Sequence, residues 1–366
     1  MLLNKEEFIE EIKRKFDTEI IKSDEPVDFE NTYSIDREGK INSLRLMELP
    51  IRDLSVLFPI SDSLVELSLF ECEIVDLSGL GKFTQLESLD LSLNDISSVL
   101  GIEKLVKLKS LRLSGTAIDS DSRFEEFYAL NNLNYLDLDY SKITSIRGLH
   151  NLEKLETLII GSTEVSHFDD IEEMPNLRCL DLNCCHNIDF SRISSLQNIP
   201  NLEKLNLSST GMSRLIGLDN LTSLKILNIN ACDLEKIQGL ENLVNLEDLD
   251  LSDNLITKIE GLDALINLKS LKLSYYLGYS DSPISRIGGI YHLSKLEILD
   301  LSGNQIEKLE NVPITNLKKL NVASNKIKEV DYDWLKSLQI SCEVNLKNNP
   351  LQLDAERIPL NVSVKV

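Results

Sequence analysis

Leucine and isoleucine fall along most of this chain at fixed intervals, with polar residues between them in a recurring order. The pattern LxxLxLxx(N/C/T)x(I/L) starts at Leu64, Leu86, Leu108, Leu133, Leu155, Leu177, Leu202, Leu224, Leu246, Leu268, Leu296 and Leu317, most often 22 residues apart. A degenerate unit, INSLRLMELPI from Ile41, precedes these, and CEVNLKNNPL from Cys342 follows them. Self-similarity at such a period marks a stacked-repeat architecture. In LEDLDLSDNLI (246–256), Leu249 and Leu251 alternate with Asp248, Asp250 and Ser252, the period-two pattern of a strand with one buried face. One such unit cannot bury its own apolar side, whereas a stack of them can.

After each strand the chain must turn without leaving backbone groups unpaired. Counting from the leading leucine, the ninth position carries Cys72, Asn94, Thr116, Ser141, Thr163, Cys185, Thr210, Cys232, Asn254, Asn304, Asn325 and Asn349. These are small side chains with a donor, predicted to form a ladder to neighbouring carbonyls. A Gly-Leu step, as at Gly217-Leu218, Gly239-Leu240 and Gly261-Leu262, then sends the chain back along the outer side.

These motifs resemble leucine-rich-repeat proteins of the short 22-residue class, which includes the leucine-rich regulatory subunit of type-1 protein phosphatase and the internalins. The resemblance covers residues 41 to 351. It implies an α/β solenoid, a right-handed leucine-rich-repeat horseshoe of 12 to 13 repeats. Its parallel sheet would lie on the concave face, with short helical or extended segments outside. Residues 1–40 are expected to form an N-terminal cap of helix plus hairpin, 41–339 the repeats, and 340–366 the last repeat and C-terminal cap. NKEEFIEEIKRKF (4–16) has the spacing of an amphipathic helix capped by Asn4, and YSIDREGKINSLRL (33–46) that of a hairpin turning through Asp36 to Gly39.

Three units are longer. In those from Leu108 and Leu177, DSDSRFEEFYAL (119–130) and FSRISSLQNIP (190–200) have apolar residues at helical spacing and predict outer helices. The unit from Leu268 runs 28 residues to Leu296, and its outer half is regular. The extra residues, within LKLSYYLGYSDSPISRIGGI, should therefore lie directly after the strand. That puts Tyr275, Tyr276, Tyr279 and Asp281 on the rim beside the sheet, in a loop over 274–283 rich in turn residues.

Aromatic residues make up 5% of the 366 positions while 42% are hydrophobic, so the core is aliphatic. The formal net charge is −22, spread along the repeats, which argues against nucleic acid or an anionic membrane as partner and favours a basic protein partner of a soluble monomer. The start, MLLNKEEF, turns charged too soon for a signal peptide, and no apolar run reaches membrane length, so a cytoplasmic location is expected. The sequons at Asn206, Asn220 and Asn361 would then go unused.

For enzyme chemistry the nearest approach is RCLDLNCCHN (178–187), where Cys179, Cys184 and His186 sit close in sequence; their spacing matches no zinc signature and lacks a fourth ligand. Phosphate loops and nucleophile elbows are absent from the sequence. The expectation is a non-catalytic interaction scaffold without cofactor or metal, with a phosphatase-regulatory role implied by the resemblance and a metal- or thiol-dependent enzyme as the remaining alternative. Exposed aromatics on an inner sheet have no core to fill, which makes Phe70, Tyr135 and Tyr140, with Arg112 between them, candidates for partner contact. Asp137 and Asp139 join them on that strip, and Tyr275, Tyr276, Tyr279 and Asp281 on the loop, the two gripping one partner.

Overall fold

The period-two segments form strands, and the apolar positions between them are buried as the core of each unit. These features come from a computed structural model, which describes residues 5–25, 27, 29–119, 124–166, 174–276, 284–310, 312–313, 315–338, 342–360 and 362–365. The chain divides into two units, Met1–Leu180 and Asp181–Val366.

The first unit opens with α1 (Lys5–Phe16), which turns Phe8, Ile9 and Ile12 inward. After β1 (Ile21–Lys22), β2 (Thr32–Ile35) runs antiparallel to β3 (Ile41–Met47) through the turn at Asp36–Gly39, where the Asp36 carboxylate accepts from the N–H groups of Glu38 and Lys40. From β3 to β8 every step is parallel, through β4 (Glu66–Phe70), β5 (Ser88–Asp90), β6 (Ser110–Arg112), β7 (Tyr135–Asp137) and β8 (Thr157–Ile159), and β9 (Cys179–Asp181) lies next to β8. The register places like positions side by side, so Leu67, Leu89, Leu111, Leu136 and Leu158 form one buried row.

The second unit continues the same plan with β10 (Lys204–Asn206), β11 (Ile226–Asn228), β12 (Asp248–Asp250), β13 (Ser270–Lys272), β14 (Ile298–Asp300), β15 (Lys319–Asn321), β16 (Cys342–Asn345) and β17 (Val362–Lys365), all parallel. Before β16 lies α2 (Tyr332–Ser337), with Asp331 accepting from the Asp333 N–H at its start.

The ninth-position ladder is present in two forms. Each asparagine reaches between repeats: Asn94 Nδ2 donates to the carbonyls of Leu69 and Leu91, and its Oδ1 accepts from the N–H groups of Cys72 and Ile74. Cys72 and Cys232 reach the preceding repeat too, through Sγ to the Leu46 and Leu207 carbonyls. Thr116, Ser141, Thr163 and Thr210 differ from the expectation: each hydroxyl donates to the carbonyl three residues back in its own repeat. At these four positions the hydroxyl closes the turn of its own repeat.

The Gly-Leu steps have a steric origin. Gly239 and Gly261 have φ of 78° and 74°, and a Cβ on either would overlap the carbonyl oxygen of the preceding repeat, Leu215 and Ile237 respectively. Phe124–Ala129 and Phe190–Asn198 are helical as expected, in the tighter 3₁₀ form. Residues 120–123, in the first of those segments, lie outside the described residues.

Candidate functional site

The exposed side of the sheet in the first unit is built from three rows, fixed by register. The third position contributes Glu66, Ser88, Ser110 and Tyr135. The fifth contributes Arg45, Ser68, Asp90, Arg112 and Asp137. The eighth contributes Glu71, Leu93, Gly115 and Tyr140, each with φ between 54° and 66°. This left-handed residue sends the chain out of the strand while its N–H still donates across the sheet, as from Leu93 to the Ser114 carbonyl and from Tyr140 to the Gly161 carbonyl.

Of the residues singled out from the sequence, the structure brings Arg112 and Tyr135 into direct contact. The Arg112 guanidinium carbon lies 4.6 Å from the centroid of the Tyr135 ring, a cation–π arrangement between adjacent strands. Burial, and then the Asp137 carboxylate, push the Tyr135 phenol above its ordinary value, and Arg112 opposes them. Tyr140 projects outward with 65% of its surface exposed, while Phe70 is half-buried at the end of β4.

Asp137 is partly committed elsewhere. Its Oδ1 accepts from the Asp139 backbone N–H at 3.0 Å, closing the turn that follows the strand. The same bond recurs at Asp90, Asp181, Asn206, Asn228, Asp250 and Asp300, so the fifth-position acid or amide is a turn-closing group throughout the chain. The half-buried Asp139 adds a second carboxylate next to Tyr140.

Leu93 is a surface residue that reasoning from aromatics passes over. It is exposed, and a Cβ on Gly115 would collide with its Cδ2, so Leu93 leans across the gap that Gly115 leaves beside it. The signal was in the sequence: a glycine at the eighth position of one repeat beside a leucine at the eighth position of the repeat before.

In the second unit, two of the four loop residues are described. Tyr275 does not lie on the rim; it is 6% exposed and belongs to the core. It occupies an eighth position yet lacks the left-handed backbone of its counterparts, and this redirects its ring inward. Tyr276, at the ladder position, is 64% exposed, and its hydroxyl pairs with Ser302 Oγ at 2.6 Å. Tyr279 and Asp281 lie outside the described residues.

Cys179 and Cys184 are half-buried and Cys185 is buried, as free thiols, while His186 is exposed. Among the described residues no group of three or more His, Cys, Asp or Glu is arranged to hold a metal ion. No helix of the described residues is long and apolar enough to cross a membrane.

A leucine-rich-repeat family model matches residues 84–99 and 292–308. The repeat pattern, the parallel register and that match to two of the repeats give this chain a leucine-rich-repeat fold. Solved structures similar to it include a leucine-rich-repeat protein of Leptospira interrogans (TM-score 0.70, 20% identity, covering 89% of this chain and 90% of that one). An internalin, InlF of Listeria monocytogenes, is similar over 88% of this chain and 86% of its own (TM-score 0.62, 18% identity). TLR13, solved in complex with ssRNA13, is similar over 88% of this chain and 50% of its own (TM-score 0.68, 22% identity). At these identities the likeness establishes the fold. No curated protein matches the chain by sequence.

Proposed function

We propose that this protein is a non-catalytic scaffold that binds a protein partner through the exposed sheet face of its first unit. The observation that carries this reading is the Arg112–Tyr135 stack, flanked by exposed Tyr140 and Leu93, on a surface otherwise made largely of serines and charged side chains. Tyrosine and arginine dominate binding hot spots because each presents a large, nearly rigid contact area with a polar end. The formal net charge of −22 favours a basic partner and disfavours nucleic acid. A reducing, cytoplasmic setting is supported by Cys72 and Cys232, whose Sγ–H donors occupy ladder bonds that oxidation would remove. On the 274–283 loop, Tyr276 is the described residue available for contact, and it adds to the reading for the second unit.

The test is affinity capture from the native cell with the parent chain and with the double variant Arg112→Ala, Tyr140→Ala. A partner held by this face should be recovered with at least tenfold lower affinity by the variant, a loss of about 1.4 kcal/mol. Equal affinity with both proteins would overturn the assignment of the face.

A further inference from the structure

Beneath the N-terminal cap, the loop at Ser23–Glu25 overhangs the sheet and walls one side of a half-open cavity of about 240 Å³. Its floor is the first part of the exposed face: Arg45, Glu66, Ser68, Asp90 and Arg112. The overhang is held in place, with the Ser23 N–H donating to the Tyr33 carbonyl and its hydroxyl to the Glu25 carbonyl at 2.6 Å.

The charges around this cavity are of both signs and leave each other unmatched. Among the described residues, neither Arg45 nor Arg112 takes a carboxylate partner, and neither Asp24 nor Glu25 takes a cation. The ion pairs Lys40–Glu38, Arg52–Glu73 and Lys109–Glu87 all lie away from the cavity lining. Arg112 rests on Tyr135, Asp90 Oδ1 is held by the Ser92 N–H, and Glu66 accepts only a 3.2 Å bond from Ser43. Four carboxylates against two guanidinium groups leave the lining with an excess of two negative charges. The volume falls below the roughly 300 to 1,000 Å³ of ordinary small-molecule pockets and suits one long side chain.

We propose that this cavity anchors an arginine side chain of the partner, followed in the partner's sequence by an acidic residue. The inference rests on the sheet-face reading above and names the chemistry that the face selects. The guanidinium enters between the Glu25 overhang and the Glu66 and Asp90 floor, where a planar fork matches carboxylates better than the point charge of lysine. The acidic neighbour meets Arg45 or Arg112, which otherwise face the cavity without a counter-charge.

The experiment uses the full chain and a fluorescein-labelled peptide, Lys-Gly-Arg-Glu-Gly-Lys, followed by anisotropy at 0.15 M salt. Two companion peptides replace the arginine with citrulline, its uncharged isostere, and the glutamate with glutamine. The parent should bind the first peptide at least tenfold more tightly than the citrulline peptide. The double variant Glu66→Gln, Asp90→Asn, in which residue 90 keeps an oxygen for the Ser92 N–H, should lose that preference. Arg45→Gln should weaken the glutamate peptide toward the glutamine one. Glu125→Gln, Asp263→Asn removes two charges elsewhere and should change nothing.

Equal binding of the arginine and citrulline peptides, or absence of binding up to millimolar concentration, overturns the proposal. So does an equal loss in the Glu125, Asp263 control, which would show diffuse attraction to an acidic protein. Should Glu66→Gln, Asp90→Asn fail to fold, Glu25→Gln on the overhang tests the same preference. A partner that is lost on changing Arg112 and Tyr140 yet binds Glu25→Gln at parental strength, alongside a negative peptide result, rejects the cavity and leaves the scaffold reading standing.

Discussion

The side chain of Asn254 joins two repeats: its Nδ2 donates to the Ile229 carbonyl of the preceding repeat at 2.7 Å, and its Oδ1 accepts from the Leu234 N–H at 3.0 Å. Both partners are buried, so neither can turn to water if the amide is removed. Asn254→Ala should therefore cost roughly 1 to 3 kcal/mol. In a stacked-repeat protein the loss is local before it is global, so hydrogen exchange across the repeats from Leu224 to Leu268 is the sharpest readout. Unaltered exchange there, with unaltered denaturant midpoint, would contradict the ladder.

Thr210→Ala provides the contrast. Its hydroxyl donates to the Leu207 carbonyl of its own repeat at 2.7 Å and also lies 3.6 Å from Cys232 Sγ. With one strong bond lost, the expected cost is smaller, about 1 kcal/mol. A loss equal to that of Asn254→Ala would mean that spanning two repeats contributes nothing beyond closing one turn.

The six cysteines should all alkylate in denaturant without reductant, since each is a free thiol. In the folded protein they divide by burial. Cys179 and Cys184 are half-buried and should react first, whereas burial pushes the thiols of Cys72 and Cys342 up to about 11 from an ordinary 9.0. The folded chain thus holds these two protons more tightly than the unfolded chain, so the associated stability is present below pH 9 and lost as pH rises toward 11. Replacing Cys72 with Ser should flatten that alkaline loss; a disulfide in the native protein, or an unchanged alkaline limb, would refute the assignment.

At acid pH the sign reverses. Lys269 holds the Glu247 carboxyl below its ordinary value through a 2.7 Å ion pair, and Lys365 does the same for Glu343. Their contribution is present above the unfolded value of 4.5 and is lost as pH falls through the folded one. The two carboxylate side chains keep 43% and 38% of their surface exposed, so the effect is salt-sensitive. Glu247→Gln and Glu343→Gln should each reduce the steepness of acid unfolding at low salt and have little influence at 1 M salt. Equal steepness in parent and variants at low salt would show that these pairs are passive.

The fold was legible because its cause is periodic. Every leading leucine from Leu64 to Leu317 is buried, and a spacing of 22 leaves one register available to the strands. The outer helices of the long units were legible for the same reason. What the pattern could not supply was the backbone state of single residues. The eighth position holds glutamate, leucine, glycine, tyrosine, serine, cysteine, alanine, aspartate and asparagine with no common chemistry, yet nearly all adopt positive φ because the turn demands it. Nor did composition reveal that the fifth-position acids close turns, since an aspartate reserved for a backbone N–H and one offered to a partner are the same letter. The cavity under the cap depends on the overhang of Ser23–Glu25, a long-range contact that no local pattern encodes.

Tyr275 and Tyr276 are adjacent in sequence and divide between core and surface, and this makes the irregular repeat testable. The Tyr275 N–H donates to the Ser302 carbonyl as in a regular repeat, but its ring fills the interior. Its own carbonyl sits so close to Gly303 that a Cβ there would overlap it. Tyr275→Ala should create a cavity and cost about 3 to 5 kcal/mol, the range for truncating a buried aromatic. Tyr276→Phe removes a hydroxyl that pairs with buried Ser302 and should cost about 1 kcal/mol. Gly303→Ala, which must push back the Tyr275 carbonyl and also bears φ of 75°, should destabilise the same repeats. Denaturant unfolding with hydrogen exchange across residues 284–310 resolves the three. If Tyr275→Ala proves as mild as Tyr276→Phe, the ring is not a core element and its inward placement is wrong.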